Sequence, residues 1–195
     1  MNSYKVLLLS TFLGTVNCLS VTQIIESTIQ LDGFRKVIND NSLTTISSKL
    51  EGSPEGFDGY TVFAPVNIAF TKLSKKQRLE LQGSNKNFIS QKINYHLVYG
   101  ELRTLTPGVI SYRNVALGAP NLYIREYQDK IYVNGAEVLN VDNPVEADNG
   151  IIYYIDHFLW NVATSRTIEL ELDHMVQNTM VSSYTYIHIF QYINM

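Results

Sequence analysis

The stretch YTVFAPVNIAF (60–70) carries two different periodicities on either side of one proline. Tyr60, Val62, Phe63 and Ala64 form an apolar run suited to a strand, after which Val66, Ala69, Phe70 and Leu73 recur at helical spacing. A chain with this feature must end a strand directly against the start of a helix, so it folds with strands and helices in contact. Pro65 suits the first helical position, because it has no N–H to leave unbonded and its φ is already set. Asn67 can turn its side chain on nearby backbone N–H groups or the adjoining loop.

The residues around it fall into two blocks. Before the junction, Ile24, Ile25, Ile29, Leu31, Phe34, Val37 and Ile38 predict helix over 22–40, with Gly33 a break between two short helices. A polar loop follows at 51–59. Beyond the helix at 66–73, Ser74 predicts an N-cap and a helix ending at Gly83. Asn87 is placed to cap a further helix, with Phe88, Ile89, Ile93 and Leu97 in one apolar stripe. After Gly100 the character turns to β, with short segments at 109–112, 115–117, 122–127, 130–133 and 137–141. Gln128-Asp129 and Asn134-Gly135 sit where tight hairpin turns belong. The last segment, 150–159, is nearly continuous apolar and so is expected to be buried on both faces. Helices followed by a meander predict an α+β domain over 21–163.

The first twenty residues pose a separate problem. One lysine precedes an eleven-residue apolar core (6–16), and small residues follow at Cys18 and Ser20. This is the layout of a secretory signal peptide, with the core too short to anchor in a bilayer; the alternative is a buried N-terminal strand or helix. Cleavage near Leu19 or Val21 would remove Cys18, the single cysteine, and with it disulfides, thiolate metal sites and thiol catalysis. The net charge of −3 and the 17% charged fraction provide no basic face for nucleic acid or anionic lipid. No Asn-x-Ser/Thr sequon occurs.

TVFAPVNIAF (61–70) resembles the first signature block of the fasciclin-like (FAS1) domain family. INYHLVYG (93–100) resembles its central Tyr-His block, and NPVEADNGIIYYIDHFL (143–159) its closing block, with Asn149-Gly150 and Ile155-Asp156 at the matching positions. The resemblance implies a β-wedge or sandwich flanked by N-terminal and central short helices. It implies structural roles for Phe63, Pro65, Asn67, Phe70, Asn149, Gly150 and Asp156. It also implies a secreted, non-enzymatic adhesion or extracellular-matrix module. In adhesive relatives the Tyr-His region and an Asp-Ile pair before the last strand are treated as integrin-facing. Carried over, these give Tyr95, His96, Leu97 and Val145 as candidate partner-binding residues. Pro144 stands where the acid would be, so an integrin contact lacks that carboxylate; Asp142 and Glu146 lie nearby.

The residues themselves show no catalytic constellation. His96 has no second His at i+4 and no acid at metal-ligand spacing, and reads as a histidine bonded to loop backbone. Asp156-His157 and Asp173-His174 are neighbours whose side chains would diverge on a regular element. No cofactor is implied. The expected partner is an extracellular protein or cell-surface receptor, or a second copy, with no nucleic acid and no membrane span. The alternative is a small-molecule or glycan-binding protein whose cleft is lined by Tyr123, Tyr127, Tyr132, Tyr153 and Tyr154. The 164–195 tail lies beyond the resemblance and reads as either a truncated second repeat or a packing or association segment.

Overall fold

The computed structural model describes residues 19–40, 43–110, 115–116 and 121–160. The apolar core of the expected signal peptide, Leu117 and the 164–195 tail lie outside them, while Val115 and Ala116, expected in a strand, form a bend. Helices come first: α1 (Val21–Ser27), a 3₁₀ turn (Ile29–Leu31), α2 (Asp32–Asp40) and α3 (Thr44–Glu51). Ser20 and Gln23 cap α1 reciprocally, side chain to backbone, at 3.3 and 2.9 Å. The break falls at Thr28, not at Gly33, which lies in the first turn of α2. Gly33 is there for room: a Cβ on it would sit 2.6 Å from the Phe70 ring.

The chain then runs through β1 (Tyr60–Pro65), α4 (Asn67–Thr71), α5 (Lys75–Leu81), α6 (Lys86–Asn94) and β2 (Leu97–Tyr99). Three expectations are corrected here. Pro65 is the last strand residue rather than the first helical one, and Val66 occupies the N-cap with no side-chain bond. The cap of α6 is Asn85, whose Oδ1 accepts from Phe88 N–H at 3.1 Å, not Asn87. Leu97 leaves the helical stripe because its backbone pairs with Val62 of β1, and the sheet edge satisfies what another helical turn would have satisfied. Ser74 caps α5 as expected, in a capping box with Gln77.

The remaining strands are β3 (Gly108–Ile110), β4 (Leu122–Tyr127), β5 (Lys130–Val133), β6 (Ala136–Glu137), β7 (Val145–Ala147) and β8 (Gly150–Ile155). They complete two four-stranded sheets, ordered β2-β1-β8-β7 and β3-β4-β5-β6. Both predicted hairpin turns form. Gln128, Asp129, Asn134 and Gly135 have φ of 50, 59, 48 and 83°, the left-handed pair that matches the twist of flanking strands. Within the first sheet, β1 and β8 are parallel and in register from Tyr60 opposite Gly150 to Pro65 opposite Ile155. Both are buried on both faces. Val62, Ala64 and Ile152 face the helices, while Phe63, Ile151, Tyr153 and Ile155 face the second sheet. This arrangement is the α+β domain that the residue pattern predicted, with the short flanking helices that the resemblance implied.

Asn149 and Gly150 hold the helical layer to this sheet. The Asn149 side chain accepts from Val21 N–H at 2.8 Å and donates to the Leu50 and Gly52 carbonyls at 2.7 and 3.0 Å. Its own carbonyl accepts from Tyr60 N–H at 3.0 Å. One buried amide thus joins α1, the end of α3 and β1. Gly150 follows because nothing larger fits: a Cβ there would lie 2.4 Å from the Tyr60 carbonyl oxygen. Gly150→Ala is expected to cost roughly 1–3 kcal/mol by forcing β8 off β1. Gly52→Ala, with nothing within 4 Å of the new methyl, is expected to stay within about 0.5 kcal/mol. Urea unfolding of the two variants checks the contrast, and equal costs would contradict it.

Candidate functional site

At the strand-to-helix junction the ladder continues one residue past Pro65, with Val66 N–H donating to the Ile155 carbonyl at 3.0 Å. Asn67 then turns away from its own helix. Its Oδ1 accepts from Gly33 N–H and its Nδ2 donates to the Ile29 carbonyl, both at 2.9 Å. The side chain therefore stitches α4 to the 3₁₀ turn and α2, so it satisfies neighbouring backbone as expected while leaving α4 uncapped. Phe70 closes the gap over Gly33 and meets Phe158 edge to face at 5.6 Å.

His96 sits behind this junction and is fully buried. Nε2 accepts from Leu159 N–H at 3.0 Å, so Nδ1 carries the proton and donates to the Lys92 carbonyl at 2.9 Å. The rings of Phe158 and Phe34 flank it at 4.3 and 5.6 Å. Burial pushes the imidazole down to about 3, against the opposing pull of the Lys92 carbonyl. Both ring nitrogens are committed to backbone, leaving neither to take a proton from a substrate. Its carbonyl accepts from Phe63 N–H at 2.9 Å, which ties the Tyr-His block to β1.

The neighbouring candidates are interior as well. Tyr95 is 2% exposed; its hydroxyl donates to the Asn121 carbonyl at 3.2 Å and accepts from Asn134 Nδ2 at 2.6 Å. Burial raises that phenol to about 12, with the Asn134 bond pulling the other way. Leu97 is fully buried on β2. Val145, on β7 opposite Ile152, is half-buried. Beside it Glu146 pairs with Arg103 at 2.9 Å. The structure thus gathers Tyr95, His96 and Leu97 inside the fold and leaves Val145 apart from them near the surface.

Asp156 and His157 do meet, contrary to the divergence expected of neighbours. His157 lies in a bend just past β8, outside strand alternation, and its Nδ1 is 2.8 Å from Asp156 Oδ1. Asp156 also accepts from Glu137 N–H and from Lys72 Nζ, both at 2.7 Å. Burial alone would raise its carboxyl, but the bonds from Lys72, His157 and the Glu137 N–H outweigh it and lower the pKa. The carboxylate ties the end of β8 to β6 and α4. Asp173-His174 lies outside the described residues. Among the described residues no group of three or more His, Cys, Asp or Glu is placed to hold a metal ion.

The five tyrosines do not share one cleft. Tyr123, Tyr127 and Tyr132 are half-buried on the face of the second sheet opposite Leu122, Ile124 and Val133. Tyr153 is interior, and its hydroxyl donates to the Leu102 carbonyl at 2.7 Å. Tyr154 points to the helical side. There it lines, with Gln30, Val66, Asn67, Ile68 and Leu139, a depression of about 430 Å³. The sequence reading missed this surface, because Ile29, Ile68 and Leu139 look like ordinary apolar positions until their exposures of 87%, 54% and 49% are known. Ile68 does fall outside the apolar stripe Val66, Ala69, Phe70 and Leu73, and that is the one signal the sequence held.

In this helix-flanked wedge the His96 ring and the Asn67 and Asn149 side chains are all bonded to backbone of neighbouring elements. The chain matches the Fasciclin domain over residues 30–161 and belongs to that family. It is 31% identical over 130 residues to the immunogenic protein MPB70 of Mycobacterium bovis, a match covering 62% of this chain and 64% of that protein. Immunogenic protein MPT70 of Mycobacterium tuberculosis matches to the same extent. The chain therefore spans just under two thirds of the length of these relatives. A FAS1 domain pair from the insect cell adhesion molecule Fasciclin I shares the fold, with a TM-score of 0.54 at 17% identity over 73% of this chain and 51% of that one. Among the described residues no helix is long and apolar enough to cross a membrane.

His96 makes stability depend on pH. Its folded pKa of about 3 lies below the ordinary 6.5, so between those values the unfolded chain binds a proton that the folded chain refuses. The contribution is complete above pH 6.5 and declines as pH falls, by about 1.4 kcal/mol per unit below that point. Thermal melts between pH 7 and 5 are expected to show this slope in the unaltered chain and to lose it in His96→Gln. His96→Ala and the more exposed Asn67→Ala are each expected to cost on the order of 1–3 kcal/mol, Asn67 at the lower end. Unchanged melts for both would contradict their structural roles.

Proposed function

We propose that this chain is an extracellular, non-enzymatic adhesion or matrix-interaction module whose protein partner, a matrix protein or cell-surface receptor, docks on the aliphatic surface around Ile68. One observation carries the reading: Ile29, Ile68 and Leu139 are 87%, 54% and 49% exposed, with Ile68 and Leu139 on one shallow depression. Large aliphatic side chains held together in water mark an interaction surface. The β1–α4 junction holds this one in place from behind, so a partner meets a preformed patch and little ordering free energy is lost on docking. In this reading Tyr95, His96 and Leu97 act from inside by fixing β2 and the Phe158 segment, and Val145 is the member of that set with surface of its own.

Aliphatic docking uses neither a carboxylate nor a bridging cation, which fits a chain with Pro144 at the family's acidic position. Cell attachment to the immobilised full chain is expected to persist in EDTA and in moderate salt. Ile68→Asp with Leu139→Asp is expected to abolish attachment while leaving the thermal midpoint nearly unchanged, since both side chains are exposed. Attachment that survives the double substitution, or that vanishes with EDTA, would overturn the reading.

The same proposal includes secretion, and two contacts support one of the two cleavage points over the other. The Leu19 carbonyl accepts from Asp148 N–H at 3.1 Å, and Ser20 caps α1. Cleavage before Leu19 preserves both bonds, whereas cleavage before Val21 removes both. N-terminal sequencing of the secreted chain is expected to begin at Leu19, and a start at Val21 or an intact Met1 would contradict this.

A further inference from the structure

We propose that the groove between α2, α4 and α5 binds a medium-chain fatty acid, with the alkyl chain on its apolar floor and the carboxylate against Arg78 and Lys86. The groove has a volume of about 500 Å³, and Val37, Phe70, Leu73 and Leu81 form its floor. Phe70 is already ordered there. A Cβ on Gly33 would lie 2.6 Å from its ring, and Phe158 meets it edge to face at 5.6 Å. A ligand therefore meets a fixed surface, and little free energy is lost in ordering it.

Size separates the possible occupants. The volume is roughly three times the ~150 Å³ that encloses a single benzene ring, which leaves room for a chain. It also falls within the ~300–1,000 Å³ of small-molecule sites. The lining comes from one face of α2 (Gly33, Lys36, Val37, Asp40), from Phe70 and Leu73, and from the end of α5 with the connection to α6. Such a patch is well short of the roughly 20–30 residues a side that a stable protein interface engages. A small ligand matches it better than a protein segment does.

Charge decides the head group. Lys36, Arg78 and Lys86 stand on the rim with the single acid Asp40. Asp32 already holds Lys36 at 2.8 Å. Arg78 and Lys86 have no acid partner among the described residues. Set against Asp40, these two cations leave the rim with a single net positive charge. One carboxylate neutralises that charge, whereas a doubly charged phosphate would overshoot it. Gln82 and Ser84 share the rim, and their side-chain N–H and O–H can donate to the same carboxylate. Asp40 belongs to the α2 wall while Arg78, Gln82, Ser84 and Lys86 lie on α5 and the chain after it, so the head group has a preferred wall. The groove shares no lining residue with the Ile68–Leu139 depression, and the two surfaces can be tested apart.

Isothermal titration calorimetry of the full chain with dodecanoate, kept below its micelle concentration, tests the proposal. Dodecanoate is expected to bind at least about tenfold more tightly than octanoate, whose shorter chain covers less of the floor. It should also exceed dodecanol by about tenfold or more, because the alcohol lacks the charge that Arg78 and Lys86 recognise. In Arg78→Glu/Lys86→Glu, dodecanoate should weaken by about tenfold or more while dodecanol binds as before. Both side chains are exposed, so the melting temperature should hold. Lys75→Glu/Lys76→Glu, on α5 but outside the groove, should leave both ligands unaffected. The proposal is overturned by absence of dodecanoate binding, by equal binding of dodecanol or octanoate, or by an equal loss in the Lys75/Lys76 variant. Tighter binding of dodecyl phosphate would overturn the carboxylate assignment. Binding seen only above the micelle concentration would assign the chain to a lipid surface and overturn the groove as a site for a single fatty acid.

Discussion

The parallel pairing of β1 with β8 brings Tyr60 opposite Gly150 and Pro65 opposite Ile155, across almost the whole domain in sequence. Such a contact gives up more chain entropy before it forms than any hairpin here, so it must be stabilised on several sides at once. Side chains do this on both faces, with Val62 and Ile152 in the helical core and Phe63 and Tyr153 stacked at 5.9 Å in the inter-sheet core. Backbone satisfaction does the rest: Thr61 donates to the Gly100 carbonyl and accepts from Leu102 N–H, closing the buried edge. Asn149 joins the N-terminal helix to the same pair. Removing this pairing would leave two half-cores with no common wall.

The signature residues become intelligible once that pairing is in place. His96 is neutral because it serves two backbone groups in a dry pocket, and a charged ring there would have no counter-ion. Asn67 satisfies a 3₁₀ turn and a helix start that lie beside α4 at the surface. Asp156 holds the end of β8 through Glu137 N–H and Lys72. Each of these polar side chains sits where secondary structure stops and its backbone groups would otherwise be orphaned. Their lone pairs and protons are thus committed within the protein.

Surfaces follow from what the core leaves outside. Ile68 lies one step off the stripe by which α4 packs, so burying Ala69 and Phe70 turns it toward water. Leu139 emerges where its N–H bonds the Tyr154 carbonyl and the following chain turns away. The basic rim on the other side of α4 arises in the same way, with Arg78 on the outer face of α5 and Lys86 at the start of α6. α4 therefore separates an aliphatic depression from a cationic groove, two surfaces of different chemistry.

Much of this was legible in the amino-acid order. Period-two and period-3.6 runs place β1 and α4, Ser74 marks the start of α5, and Gln128-Asp129 and Asn134-Gly135 mark their hairpins, because each rests on interactions within a few residues. The continuous apolar run of 150–155 announces a strand buried on both sides. Local pattern cannot reach further: that Leu97 pairs in a sheet and does not extend α6, that Gly33 makes room for Phe70 and does not break a helix, and that His157 swings onto Asp156. Tyr95, His96 and Leu97 resemble a contact surface in the sequence and are interior in the fold, since exposure depends on which distant segment arrives to cover them. The sequence alone thus determined the elements and the residues able to satisfy backbone. Only the tertiary structure decided which side chains are left to meet a partner, because burial depends on long-range packing and no short stretch of chain encodes it.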